Sequence, residues 1–406
     1  MISFLVGAFL FAQSGENIAF YDAMFDASHT IAEQVAIIEL VMEDKPEGAT
    51  EFFAKALSNL TMIYHRQSDK NEINAADRAA VLLSRSLGEA EYKEAGPGLW
   101  YIVQGFKNGQ DTPLAKAAAL EALGRIKAIE FLPQVVRTLN DLNAFRPSDR
   151  ESQIRNERVA YGAILGLEYF AEPDGFIPVF MASVGWYTIR VRRQASDSLS
   201  RILEDPSDLL ADIVGRTSYV GISDHILPVD VKYEALRVAD SSNAPDSGKS
   251  KVAVVALAQG HLVKAAPGLP DVVQATMRKL ALNMILRYGC EDEAVFGLID
   301  RSYKEGAHDE RLAALNALAS LNTEDSARIM SGYLRELHTR RVAGAGTQRQ
   351  KQEEDAYVRS IIVSLGNIGS TGRNYSPSSL RLITNTGVWT SYVQGLAREA
   401  LQKVGS

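Results

Sequence analysis

Apolar residues recur at helical spacing along the segment 188–203. Val191, Ala195, Leu199 and Ile202 fall on one stripe of the predicted helix, and arginines occupy much of its other faces. A helix with one narrow apolar stripe cannot bury that stripe alone and needs a neighbour. The segment therefore predicts an amphipathic helix that packs against other helices.

The same four-position frame recurs along the chain, usually with alanine at its second position and a large aliphatic residue at its third. The frames are Ala115/Ala119/Leu123/Ile126, Val159/Ala163/Leu167/Phe170, Val191/Ala195/Leu199/Ile202, Met277/Ala281/Ile285/Tyr288, Glu310/Ala314/Leu318/Leu321, Tyr357/Ile361/Leu365/Ile368 and Val393/Ala397/Leu401/Val404. Small alanine lets neighbouring helices approach closely. A generic helical bundle is the alternative interpretation. Apart from the longer step between Leu199 and Ile285, spacings of about 32 to 47 residues between successive frames favour a two-helix repeat instead.

Helical periodicity extends over nearly the whole chain, and almost no segment alternates with period two, so we expect strands to be rare or absent. Turn residues separate the predicted helices, which are Ala27–Val41, Thr50–Arg66, Asn71–Leu87, Leu99–Phe106, Thr112–Ile126, Phe131–Leu142, Glu157–Phe170, Phe176–Val184, Thr188–Leu203, Ser207–Val214, Val229–Ala239, Lys251–Leu262, Asp271–Tyr288, Glu291–Tyr303, Asp309–Leu321, Glu324–His338, Ala356–Ile368, Pro377–Ile383 and Ser391–Val404. Residues 146–156 are predicted to be a loop or a helix start. Residues 241–250 are predicted to be a loop and residues 341–355 a mobile segment. Ser376 is a predicted N-cap.

Several frames resemble the V-R-x-x-A-x-x-A-L-G-x-I-G pattern of short bacterial HEAT repeats, the type related to bilin lyases. The matching residues are Val191-Arg192 with Ala195, Leu199 and Ile202; Ala119 with Ala122-Leu123-Gly124 and Ile126; Leu365-Gly366 with Ile368-Gly369; and Val393 with Ala397, Ala400-Leu401 and Val404-Gly405. The resemblance covers roughly residues 25–406. It implies an all-α fold, a right-handed α-α superhelix of the HEAT/armadillo-like solenoid type, with the second helices lining its inner face. Residues 13–406 are accordingly expected to form a single solenoid of about nine helical pairs, closed by a C-terminal capping helix.

The N-terminal segment Met1–Ala12 is apolar almost throughout, and polar residues follow it. Its length suits a signal-peptide core and is too short to span a bilayer. We therefore expect cleavage before Gln13 and a periplasmic or secreted protein, although the basic residues that usually precede such a core are missing. The alternative is a hydrophobic first helix on a cytoplasmic protein. No apolar stretch of about 20 residues occurs in the chain, so no membrane span is expected.

Charge and reactive residues argue against several function classes. The 43 Lys and Arg against 50 Asp and Glu leave a net charge of −7, which disfavours nucleic acid as a partner. The single cysteine, Cys290, has no partner for an intramolecular disulfide. The histidines are scattered without metal-ligand spacing, and the chain carries no H-E-x-x-H, Walker or G-x-S-x-G motif. No catalytic residue, cofactor or metal is therefore predicted.

Two clusters of aromatic and basic residues are candidate partner-binding sites, since such residues are the usual interface anchors. The first contains Trp186, Tyr187, Arg190, Arg192 and Arg193. The second contains Tyr333, Arg335, His338 and Arg341. The alternative interpretation is packing and solvation of helices, with the basic end of the second cluster complementing a helix dipole.

The sequence thus favours a non-enzymatic scaffold or adaptor that binds another protein, because a stack of repeats offers an extended surface without any catalytic requirement. A catalytic protein of bilin-lyase type and a nucleic-acid-binding HEAT-like protein are the alternatives. The identity of the partner does not follow from the sequence.

Overall fold

A computed structural model describes residues 18–63, 69–105, 112–219, 226–262 and 271–405, and this part of the chain is all-helical, without a β-strand. The all-α prediction is confirmed, while the predicted signal segment lies outside the described residues. The helices are α1 (Ile18–Ala27), α2 (Ile31–Asp44), α3 (Ala49–Ile63), α4 (Lys70–Glu89), α5 (Gly96–Gln104), α6 (Pro113–Arg125), α7 (Leu132–Ala144), α8 (Arg150–Phe170), α9 (Phe176–Val184), α10 (Ile189–Ile202), α11 (Ser207–Gly215), α12 (Pro228–Ser241), α13 (Asp246–Leu262), α14 (Val272–Tyr288), α15 (Ala294–Glu305), α16 (His308–Ser320), α17 (Glu324–Val342), α18 (Gln348–Ile368), α19 (Ser376–Thr384) and α20 (Ser391–Gly405).

The helices belong to two compact units, α1–α10 in the first and α11–α20 in the second. Within each unit the even-numbered helices pack against one another in chain order, α2 to α10 in the first and α12 to α20 in the second. Each odd-numbered helix packs against the even-numbered helix that follows it. Each unit is therefore a succession of helical pairs.

The predicted repeat frames lie in these even-numbered helices, and most of their residues are buried between neighbouring pairs. Tyr288, Leu321 and Leu401 are only half-buried. In α20 the neighbouring Ala400 is buried as well. Burial of the remaining positions accounts for the recurrence of the frame, because removing apolar area from water stabilises the packed pairs.

Helices α6 and α8 approach so closely that only glycine fits at three points of contact. A Cβ on Gly166 would lie 2.3 Å from the carbonyl oxygen of Leu120, and one on Gly162 would lie 2.3 Å from that of Ala117. A Cβ on Gly124 would lie 2.1 Å from the Gly166 carbonyl oxygen. Because each obstacle is backbone, a larger residue would force the two helices apart. We call this contact the glycine seam.

A buried ion pair replaces apolar packing between α14 and α16. Glu310 occupies the first position of the α16 frame and is 1% exposed. The Arg278 guanidinium binds it through both carboxylate oxygens, at 2.7 Å and 3.1 Å, and also donates to the Gly260 carbonyl oxygen at 2.8 Å. Glu310 thus fits an apolar layer only because Arg278 supplies a bidentate, charged donor.

Two segments expected to be irregular are helical. Helix α13 begins at Asp246, inside the predicted loop 241–250, and α18 begins at Gln348, inside the segment predicted to be mobile. The first turn of α18 carries a capping box. The Gln350 backbone N–H donates to the Thr347 hydroxyl oxygen, and the Thr347 backbone N–H donates to the Gln350 side-chain oxygen. Polar residues satisfy the free amides of a first turn, so a polar run is compatible with a helix start.

Other boundaries also differ from the prediction. Helix α1 was not predicted. Helix α2 begins only at Ile31, where Thr30 and Glu33 form a capping box. Helix α5 begins at Gly96 rather than after the Gly-Pro-Gly sequence, since proline suits a first helical turn. The N-cap of α19 is Tyr375, and Ser376 is the first helical residue.

Candidate functional site

The aromatic residues of the first predicted cluster fasten the start of α10 to α7. The Trp186 indole donates to the Leu142 carbonyl oxygen at 3.0 Å, and the Tyr187 hydroxyl donates to Asn143 Oδ1 at 2.9 Å. The two rings lie 4.4 Å apart. Burial raises the pKa of Tyr187. These contacts fit the packing interpretation for both aromatic residues.

The arginines of the same cluster lie on the surface. Arg190, Arg192 and Arg193 are exposed, and within the described part of the chain none of them forms an ion pair with a carboxylate. Arg190 lies over the Tyr161 ring, with its guanidinium carbon 5.3 Å from the ring centre. The three side chains are therefore accessible to an acidic partner.

The second predicted cluster is divided between the interior and the surface. Tyr333 is buried, stacks on Tyr303 with ring centres 4.0 Å apart, and donates to Asp300 at 2.7 Å. His338 is buried and accepts a hydrogen bond from the Trp389 indole at 3.1 Å. Burial lowers the pKa of His338, which favours the neutral ring that this hydrogen bond requires.

The two arginines of the second cluster differ from each other. Arg335 is exposed and donates to the Ser331 carbonyl oxygen of its own helix, at 3.2 Å. Arg341 is half-buried, pairs with Asp355 at 2.5 Å and lies over the Trp389 ring at 4.6 Å. Arg341 therefore fastens α18 and the start of α20 to α17, and only Arg335 remains on the surface.

An open groove is lined by residues of α14, α16, α18 and α20. Its volume is about 690 Å³. Three large apolar side chains are exposed in it, namely Leu286 at 39%, Val363 at 47% and Tyr392 at 65%. Asn316 and Asn367 also line it. Exposed apolar side chains that line one groove are available to an apolar partner. We call this surface the α14–α20 groove.

A second, more polar depression lies among α15, α16, α17 and α18, with a volume of about 630 Å³. Tyr303 and Tyr357 form an aromatic corner with ring centres 6.1 Å apart. His308 Nδ1 lies 2.8 Å from the Tyr357 hydroxyl. Arg311 and Glu336 also line it. We call this depression the α15–α18 pocket.

A buried lysine closes one end of α11. The Lys232 ammonium donates to the carbonyl oxygens of Val214 and Arg216, both at 2.5 Å, and to Gln259 Oε1 at 2.9 Å. Burial lowers the pKa of Lys232 to about 8. The group is still mostly charged at neutral pH, so its three protons match its three acceptors. This arrangement serves the fold, since lysine is well suited to a helix C-terminus.

Groups that would support metal or thiol chemistry are not assembled in the described part of the chain. No three His, Cys, Asp or Glu side chains lie together there in a way that could hold a metal ion. Burial raises the pKa of the Cys290 thiol, which disfavours the reactive thiolate. None of the described helices combines the length and the apolar character needed to cross a bilayer.

The residues that line the groove and the pocket were not singled out by the sequence. Val363 and Tyr392 are apolar or aromatic residues on the solvent side of helices whose frames are already filled by other residues. A large apolar residue on the face opposite a complete apolar stripe is therefore the sequence signal that indicates the groove. His308 and Arg311 lack such a signal, because ionic residues in a first turn are ordinary.

Comparison with known proteins adds no family. The chain matches no protein-family model, and no curated protein gives a match.

Proposed function

We propose that this protein is a non-enzymatic helical-repeat scaffold, and that its α14–α20 groove binds an extended peptide segment of another protein. The observation that carries the proposal is the exposure of Leu286, Val363 and Tyr392 along one open groove. Leaving such side chains in water forgoes the stabilisation that burying them would give. A partner that covers them recovers it.

Spacing favours an extended peptide as the occupant. Packed helices lie about 8–10 Å apart, so Val363 on α18 and Tyr392 on α20 are separated by about that interval, and Leu286 on α14 lies about twice as far from Val363 because α16 stands between them. Alternate residues of an extended chain are separated by roughly 7 Å and point to the same side. Asn316 and Asn367 offer both a donor and an acceptor to the peptide backbone.

Charge completes the description of the peptide. Arg359 lines the groove, and its only hydrogen bond in the described part of the chain goes from Nε to the Asp355 carbonyl oxygen, at 3.1 Å. A guanidinium without a carboxylate partner attracts an acidic side chain. We therefore expect peptides with apolar residues at alternate positions and one acidic residue nearby.

The larger architecture is part of the same proposal. The succession of helical pairs in each unit and the V-R…A…L motifs support a HEAT-like right-handed superhelix, in which repeats are added side by side. A scaffold of this type needs no catalytic centre. The exposed Arg190, Arg192 and Arg193 would then offer a second, basic contact for the partner.

The test is selection of peptides from a random 12-residue display library on the full chain, followed by affinity measurements on single variants. Val363→Glu places a charge in the groove, and we expect it to weaken the selected peptides about tenfold or more. Val342→Glu is the matched control, because Val342 is exposed in the same unit but lies outside the groove. It should leave binding unchanged.

Arg359→Gln adds a second criterion. We expect it to relax the preference for an acidic residue while leaving the apolar positions of the motif intact. Selection that yields no common motif, or peptides that bind both valine variants equally, would contradict the proposal. Self-association of the wild-type chain that Val363→Glu abolishes would identify a second copy as the occupant and would also overturn it.

A further inference from the structure

We propose that the α15–α18 pocket binds a small zwitterion, whose carboxylate contacts Arg311 and His308 and whose ammonium group contacts Glu336. This site takes a small molecule rather than a peptide segment, and it shares no lining residue with the α14–α20 groove. The inference therefore stands independently of the proposed scaffold function.

Most charged side chains that line the pocket already have a partner of opposite charge. The three ion pairs are Lys304–Asp300 at 2.8 Å, Arg340–Glu354 at 2.9 Å and Arg349–Glu353 at 3.1 Å. These pairs leave one cation and one anion of the lining, Arg311 and Glu336, without an ion pair in the described part of the chain.

Arg311 is held in a fixed orientation by neutral groups. Its Nε donates to the Gly306 carbonyl oxygen at 2.8 Å, and its Nη2 donates to the Lys304 carbonyl oxygen at 3.2 Å. These carbonyl oxygens position the guanidinium without cancelling its charge. A half-buried, pre-positioned guanidinium is a strong site for a carboxylate, because little side-chain freedom is lost on binding.

Arg311 and Glu336 line the same pocket as Tyr303, and their opposite charges both act on the Tyr303 hydroxyl group. Burial is the main cause of the raised pKa of Tyr303, and Glu336 raises that pKa further while Arg311 opposes it. The electrostatic effects of both side chains therefore reach the Tyr303 hydroxyl. One molecule with separated positive and negative groups can contact both residues, which a simple anion or cation cannot do.

The start of α16 lies at the end of the pocket that is proposed to bind the carboxylate. His308 is the first residue of this 13-residue helix, and the N-cap Ala307 makes no side-chain cap. The positive end of the helix dipole lies beside Arg311, and the first-turn acids Asp309 and Glu310 offset part of it. A volume of about 630 Å³ lies within the usual range for small-molecule sites and leaves room for a side chain on the ligand.

The experiment is isothermal titration calorimetry of the full chain with four probes. Alanine and glycylglycine carry both charges at two different separations, propionate lacks the ammonium group, and ethylamine lacks the carboxylate. We expect at least one zwitterion to bind about tenfold or more tightly than either singly charged probe.

Variants then assign the two ends. Arg311→Gln and Glu336→Gln should each weaken the zwitterion about tenfold or more, and Glu336→Gln should leave propionate binding unchanged. Arg335→Gln, on the same helix as Glu336 but outside the pocket, is the matched control and should have no effect. Glu336 is exposed, so its variant remains informative even if Arg311→Gln fails to fold.

Three results would overturn the inference. The first is absence of zwitterion binding to the wild-type chain at millimolar concentration. The second is propionate or ethylamine binding as tightly as the better zwitterion. The third is zwitterion affinity that stays the same in Glu336→Gln.

Discussion

Replacing Gly166 by alanine tests the glycine seam, because the added methyl group meets backbone. The new Cβ would lie 2.3 Å from the Leu120 carbonyl oxygen. A carbon and a carbonyl oxygen are normally separated by about 3.3 Å or more, even in close helix contacts. Helices α6 and α8 must therefore move apart by about 1 Å at this point.

Two opposing effects set the size of the change in stability. Alanine favours a helix over glycine by about 1 kcal/mol. Overpacking against an unyielding neighbour costs about 1–3 kcal/mol, and sometimes more. Separating α6 from α8 also disturbs the contacts at Gly124 and Gly162 on the same seam. We therefore expect a net destabilisation of about 1–2 kcal/mol.

The assay is urea unfolding followed by circular dichroism, combined with hydrogen exchange of the α6 and α8 amides. Gly332→Ala is the control, since a Cβ at Gly332, within α17, would meet nothing within 4 Å. That variant should gain about 0.5–1 kcal/mol from helix propensity alone. If Gly166→Ala were stabilised to the same degree, with unchanged exchange in α6 and α8, the close approach of these helices would be refuted.

Two further predictions concern pH. Burial lowers the pKa of His338 below its ordinary 6.5, so at acidic pH the unfolded chain binds a proton that the folded chain does not. The free energy of unfolding should therefore fall as the pH drops below 6.5. Urea midpoints measured at pH 7.5 and pH 5.5 should differ less in His338→Leu than in the wild-type chain. The pKa of Lys232 falls from 10.5 to about 8, so between these values the unfolded chain again binds more protons. The stability of the wild-type chain relative to Lys232→Met should therefore rise from pH 8 to pH 10.5, and a flat difference would contradict the burial of the ammonium group.

The sequence predicted the even-numbered helices best, because their stability depends on an apolar stripe that is visible at helical spacing. Ala195 and Leu199 are buried as expected. The starts of α13 and α18 were missed, since Asp246 and Gln348 begin polar first turns that have the composition of a loop. A local pattern does not distinguish the two, because both satisfy the backbone with polar side chains.

The sites depend on distances between helices, which a single sequence does not contain. Tyr333 and His338 have polar tips that suit a surface anchor, yet Asp300 and Trp389 satisfy those tips inside the protein. The α15–α18 pocket shows the converse. Arg311 has the sequence pattern of an ordinary solvated helix residue. Its guanidinium is recognisable as unpaired, within the described residues, only once the other charges around the pocket are seen to be paired.

The Arg278–Glu310 pair distinguishes the contact between α14 and α16 from the other helix contacts of the second unit. Repeated stripes of alanine and leucine are nearly interchangeable. In a stack made only of such helices, one helix could pair with the wrong repeat and still bury its apolar side chains. A slipped α16 would carry Glu310 into an apolar layer without Arg278, and an unpaired buried charge costs about 3–5 kcal/mol. The pair therefore specifies one register of α16 against α14 and disfavours the neighbouring registers, which the apolar residues around it would tolerate.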